Sequence, residues 1–85
     1  MDNKKNPFKT DKSLYDREIQ YDISHLPKEL QEYIKELEEY DKEGNWFDYD
    51  IKFDLLEIVA KGYRRHNVIS DYDYRMILRK YGWML

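Results

Sequence analysis

Few residues in this sequence could perform chemistry, and their spacing suits none of the common reaction types. Cysteine is absent, which excludes thiolate nucleophiles, disulfides and cysteine-based metal sites. Neither of the two histidines, His25 and His66, has a second histidine at metal-ligand spacing. The three glycines form no phosphate-binding cluster. We therefore expect no enzymatic activity, no cofactor, no metal site and no small-molecule substrate.

One carboxylate cluster is similar to a calcium-binding loop at first sight. Asp48 and Asp50 match the first and third positions of an EF-hand loop. The loop also needs an oxygen ligand, a glycine and a glutamate at its fifth, sixth and twelfth positions, where this chain has Lys52, Phe53 and Val59. The carboxylates are better explained as acids at the start of a helix, where the helix dipole favours negative charge.

Charge changes sign along the chain, although the net charge is only −3. Residues 1–13 carry +2. Residues 14–45 hold ten acids and four bases (−6), and residues 46–60 hold four acids and one base (−3). Residues 61–85 hold six bases and two acids (+4), so the four blocks sum to −3. An acidic middle therefore precedes a basic end, and each could recruit a different kind of partner.

The acidic middle and the aromatic residues favour a protein-interaction function. Trp and Tyr are the residues that most often anchor protein interfaces, although both tryptophans could instead close the core. We expect a small non-enzymatic protein of bacterial or phage type that binds a protein partner or itself. Its predicted contact residues are the aromatic anchors and three glutamates of the first helix: Trp46, Phe47, Tyr49, Trp83, Glu32, Glu36 and Glu39.

The basic end supports an alternative, a nucleic-acid-binding module. Cations interleaved with tyrosines could contact phosphates and stack on unpaired bases. The predicted contacts are Arg64, Arg65, Arg75, Arg79 and Lys80. Against this, Asp71 and Asp73 open the helix that would read the bases. The basic end could also neutralise the acidic helix, within one chain or across a dimer.

A further alternative is that the spaced carboxylates imitate a nucleic-acid backbone, as in small acidic anti-defence inhibitors. This is an analogy at the level of a class of proteins. A solvated helix face is the commoner explanation of such a run of glutamates. The sequence has no apolar run long enough for a membrane span and no apolar leader after Met1, so we expect a cytoplasmic protein without membrane association.

The elements that would position these residues are helices. We predict an all-α fold, a small single domain at residues 14–85 with three principal helices at 27–41, 48–65 and 71–81, preceded by a mobile basic arm at residues 1–13. Abundant aromatics argue against full disorder. Residues 14–26 are ambiguous, because their apolar spacing suits a short helix or irregular segment, and also the alternation of a strand.

Each predicted helix has local signals. Proline suits the first turn of helix one, and Gly44 fits a left-handed helix end. Ser70 and Asp73 have the spacing of a capping box at the start of helix three. Helix two has two neighbouring apolar stripes, so we expect it to be central and covered on two sides. One stripe consists of Phe47, Ile51, Leu55, Ile58 and Val59, and the other of Tyr49, Phe53, Leu56, Ala60 and Tyr63. Gly62 within this helix costs about 1 kcal/mol relative to alanine and marks fraying or a close crossing.

The second half of the chain resembles a known pattern. Val68-Ile69-Ser70, Asp73-Tyr74 and Arg79-Lys80-Tyr81-Gly82 are similar to the SHOCT-type short C-terminal αα-hairpin of many bacterial proteins, over residues 55–82. Asn67 stands where that pattern usually has glycine. The resemblance implies a helical interaction hairpin and no site residues.

Overall fold

Three α-helices make up most of residues 13–82, the part of the chain that the computed structural model describes. α1 spans Lys28–Glu43, α2 spans Trp46–Arg65 and α3 spans Asp71–Tyr81, and the described residues contain no β-strand. The predicted all-α fold is confirmed, and each helix bound lies within two residues of its predicted position. The predicted mobile arm lies outside the described residues, apart from Ser13.

The helices end where local chemistry predicts. Gly44 has the left-handed φ of 68° that ends α1, a conformation that glycine adopts without steric cost. The Asn45 side chain accepts a hydrogen bond from the backbone N–H of Asp48 (3.2 Å) and caps α2. Ser70 and Asp73 exchange both bonds of a capping box at the start of α3.

α2 is the central helix, because both α1 and α3 pack against it. Its buried face packs against the apolar stripes of its two neighbours, so burial of apolar area supplies the main stabilisation of the fold. The buried apolar residues of the three helices are Leu30, Ile34 and Leu37 of α1, Tyr49, Phe53, Leu56 and Ala60 of α2, and Tyr74, Ile77 and Tyr81 of α3.

Residues 13–26 form neither a helix nor a strand and cross the core as an irregular segment. At one end the backbone N–H of Leu14 donates to the buried Asp41 carboxylate (2.5 Å). Further along, the N–H of Asp16 donates to the carbonyl of Lys80 (2.8 Å). These bonds link the segment to α1 and α3, and Leu14 and Leu26 are buried at its two ends.

Asp73 is the polar junction between this segment and α3. Its carboxylate accepts hydrogen bonds from the Tyr21 hydroxyl (2.6 Å) and from Ser70, and it lies 2.7 Å from His25 Nε2. Burial opposes ionisation of the carboxyl group, but the hydrogen bonds from Tyr21, His25 and Ser70 outweigh it and lower its pKa to about 2.

The lowered pKa of Asp73 predicts a loss of stability in acid. A carboxyl group whose pKa is lower in the folded chain stabilises the fold above its unfolded pKa of 3.8. That contribution is lost as the pH falls from about 4 to about 2. A carbon-13 NMR titration of the Asp73 carboxyl is expected to show a midpoint near 2. A midpoint near 4 would mean that these hydrogen bonds do not form in solution.

Candidate docking surface

Four large apolar side chains occupy the face of α2 that points away from the core. They follow one another at intervals of four, four and three residues and span about 80° of the helix circumference. We call this surface the outward stripe, and it consists of Phe47, Ile51, Leu55 and Ile58. Ile51 is 48% exposed, Leu55 43% and Ile58 66%, so these three residues present partly exposed apolar surface.

The outward stripe corrects one expectation from the sequence. Both apolar stripes of α2 were expected to be covered, but only the one that includes Tyr49 and Leu56 is buried. The reason is that α1 and α3 pack on the same side of α2. The Tyr63 hydroxyl donates to Glu29 of α1 (2.9 Å), and Phe53 lies under Gly82 just after α3, so both neighbours lie on the buried side.

Charged residues border the outward stripe on both sides. On the side of α1, Lys52 Nζ lies 2.8 Å from Glu36 Oε1 and over the Tyr33 ring. The hydrogen bond to Glu36 raises the pKa of Lys52. On the side of α3, a groove of about 410 Å³ is bordered by three carboxylates and an apolar floor: Asp50, Asp54, Glu57, Phe53, Leu78 and Gly82. The stripe is therefore an apolar strip between mainly acidic borders.

The structure separates the predicted aromatic contact residues. Trp46 and Phe47 begin α2, each more than a third exposed, and their rings meet edge to face. The side chain of Tyr49, by contrast, is completely buried, and its hydroxyl donates to the carbonyl of Tyr81 (2.6 Å). Trp83 lies outside the described residues.

The three predicted glutamates share the exposed face of α1. Glu36 pairs with Lys52, and Glu39 lies 3.4 Å from Lys42, while Glu32 borders the same shallow depression as Glu36. Lys52 stands between this acidic face and the outward stripe. The two surfaces are therefore neighbours, and one partner could contact both.

Two of the five predicted phosphate-binding cations contact other groups of the chain itself. Arg64 lies over the Tyr74 ring (4.5 Å) and 3.7 Å from an Asp71 oxygen. Lys80 is buried, and its Nζ donates to the carbonyls of Ile19 (2.5 Å) and Asp16 (3.4 Å). The remaining three, all exposed, are Arg65, Arg75 and Arg79.

Sequence reasoning assigned three members of the outward stripe, Ile51, Leu55 and Ile58, to the core. The sequence contained a feature that could have identified this exposed surface. Two neighbouring helices cannot cover a central helix that is apolar round most of its circumference, so part of its apolar surface must stay exposed. Within residues 13–82, no group of three or more acidic or histidine side chains is placed to hold a metal ion. No helix in that range has the length and apolar character of a membrane span.

Comparison with known proteins assigns no relative to this arrangement, since no protein-family model, curated protein or solved structure matches the chain.

Proposed function

We propose that this chain is a small interaction protein that binds a protein partner, or a second copy of itself, through the outward stripe of α2. One observation carries the proposal: three consecutive members of the stripe, Ile51, Leu55 and Ile58, are 43–66% exposed on the helix that also supplies the centre of the core. Contiguous exposed apolar surface with a polar border is typical of interaction sites on small proteins.

The form of the surface supports one mode of recognition. Apolar side chains at intervals of three and four residues along a helix are the pattern by which a helix is packed into a groove or against another helix. The acidic border, with Asp54 and Glu57 on one side and Glu36 on the other, would orient the partner by charge. Most of the affinity would come from the apolar residues and most of the orientation from the carboxylates.

The nucleic-acid alternative receives less support. Arg64 and Lys80 are already bound to groups within the chain, which leaves three of the five predicted cations to contact phosphate. The acidic borders of α2 would also repel a polyanion. Imitation of nucleic acid by the carboxylates of α1 stays a prediction, and it would use a different face of the protein from the outward stripe.

Site-specific photo-crosslinking in the producing cells tests the proposed function. A photoreactive phenylalanine derivative replaces Ile58 in one strain and Tyr72 in the control strain. Tyr72 is 60% exposed but belongs to α3. We expect irradiation to join position 58 to one identified protein, or to a second copy of the chain, and position 72 to neither. Equal labelling at both positions, or none at position 58, would overturn the proposal.

A further inference from the structure

We propose that the partner of the outward stripe is the same stripe of a second copy, with the two α2 helices antiparallel. This inference rests on the proposed function and names the occupant of the surface. The evidence for it is the order of residues along the exposed side of α2. When a second copy of the helix runs in the opposite direction, this order places complementary residues opposite one another.

The outward side of α2 has the spacing of a coiled-coil seam. Ile51, Leu55, Ile58 and Gly62 follow one another at intervals of four, three and four residues, and Asp48 and Arg65 extend the series by three at its two ends. Six positions therefore lie in one row along nearly the whole of α2. The row is apolar in its centre and charged at its ends.

An antiparallel arrangement pairs each member of this row with a complementary one. With Leu55 of one copy opposite Ile58 of the other, Ile51 lies opposite Gly62. Apart from the adjacent residues and the nearby backbone of α2 itself, no heavy atom lies within 4 Å of the place where a Gly62 side chain would begin, so the isoleucine of the second copy has room beside the bare backbone. One step further out, Asp48 lies opposite Arg65, which places an acid against a base at both ends.

One border of the row also contains a complementary pair in the same register. Asp54 and Lys61 are exposed on one border of the seam, and neither enters an ion pair within residues 13–82. In the antiparallel pair, Asp54 of each copy faces Lys61 of the other. Twofold symmetry repeats the contact, so the dimer gains two such pairs besides the two formed by Asp48 and Arg65.

A parallel arrangement of the two α2 helices does not place complementary residues opposite one another. It would place Asp48 against Asp48 and Arg65 against Arg65, and like charges in contact oppose association. It would also place Gly62 against Gly62, which leaves a hole in the seam. The charge pattern therefore selects the antiparallel orientation. We expect a weak, reversible dimer, because a pair of helices of this length buries less than a standard stable interface of roughly 1,600 Å².

Charge exchange at the border tests this inference without disturbing the core. Asp54→Lys alone sets lysine against Lys61, and Lys61→Asp alone sets aspartate against Asp54. In an equimolar mixture of the two variants, every border contact again joins opposite charges. Both positions are exposed, so both variants are expected to fold, which circular dichroism verifies.

Sedimentation equilibrium on the full chain gives the result. We expect wild-type protein to self-associate, each variant alone to have a dissociation constant about tenfold higher, and the mixture to recover wild-type association as a heterodimer, identified by native mass spectrometry. A wild-type chain that stays monomeric at its highest soluble concentration overturns the inference, and so does a mixture that associates no better than its components. If position 58 still crosslinks to a different protein, the proposed function survives and only the identity of the partner is wrong.

Discussion

Replacing Tyr49 by alanine is expected to lower the free energy of unfolding by about 3–5 kcal/mol, the usual cost of removing a large buried ring. Tyr49 has no exposed surface and is among the largest fully buried side chains of the described fold. Small domains have only about 5–15 kcal/mol of stability in total, so a large part of this chain's stability depends on one ring.

The Tyr49 hydroxyl adds a second contribution. Burial, with the negative charge of Asp41 nearby, raises the pKa of Tyr49, so the phenol stays protonated and can donate to the carbonyl of Tyr81. Tyr49→Phe keeps the ring and leaves that carbonyl without its donor, which costs about 1–3 kcal/mol. The hydroxyl therefore joins the start of α2 to the end of α3.

Urea denaturation followed by circular dichroism measures both effects. Tyr72→Ala is the matched control, because this tyrosine is 60% exposed and its truncation is expected to change stability by no more than about 0.5 kcal/mol. We expect the largest loss of stability for Tyr49→Ala, a smaller loss for Tyr49→Phe and the smallest for Tyr72→Ala. Equal losses at Tyr49 and Tyr72 would contradict the described core.

The helices could be predicted from sequence because their ends depend on neighbouring residues. Gly44 can adopt a left-handed conformation wherever it occurs, and the Ser70–Asp73 capping box needs only a spacing of three residues. The N-terminus of α2 was placed two residues late, at Asp48 instead of Trp46. The capping side chain is Asn45, which the sequence analysis did not single out as a cap.

The orientation of α2 could not be predicted from its own sequence. Phe47, Ile51 and Leu55 are as apolar as Tyr49, Phe53 and Leu56, so the sequence does not rank the two stripes. What decides between them is that α1 and α3 approach from one side. The sequence pattern predicts that both stripes are covered, and in the structure Tyr49 is fully buried whereas Ile58 is 66% exposed.

Contacts between distant residues explain the other differences. Lys80 and Arg79 are adjacent cations near the end of the same helix, yet only Lys80 is buried, because the carbonyl groups of Asp16 and Ile19 receive its ammonium group. Contacts with distant residues also determine the path of residues 13–26, which have no regular secondary structure. Their positions depend on Asp41 and on α3, which are far away in sequence.

Because α2 has a core face and an outward stripe, we expect the same substitution to have very different effects on stability at two positions that are only two residues apart. Ala60 has no exposed surface, whereas Ile58 is 66% exposed. Ala60→Glu would bury a charged group and is expected to cost more than about 3 kcal/mol, enough to unfold much of the protein. Ile58→Glu places the same side chain in solvent, where its expected effect is within about 0.5 kcal/mol.

The most direct test of the account is therefore the free energy of unfolding of Ile58→Glu beside that of Ala60→Glu, both compared with wild type under the same conditions. The introduced residue, glutamate, and the helix are the same in both variants, so a large difference in stability reports mainly which face of α2 the glutamate occupies. We expect a near-wild-type value for Ile58→Glu and a severe loss for Ala60→Glu. Comparable losses at both positions would contradict this expectation, because Ile58 would then belong to the core and the outward stripe would not be a docking surface.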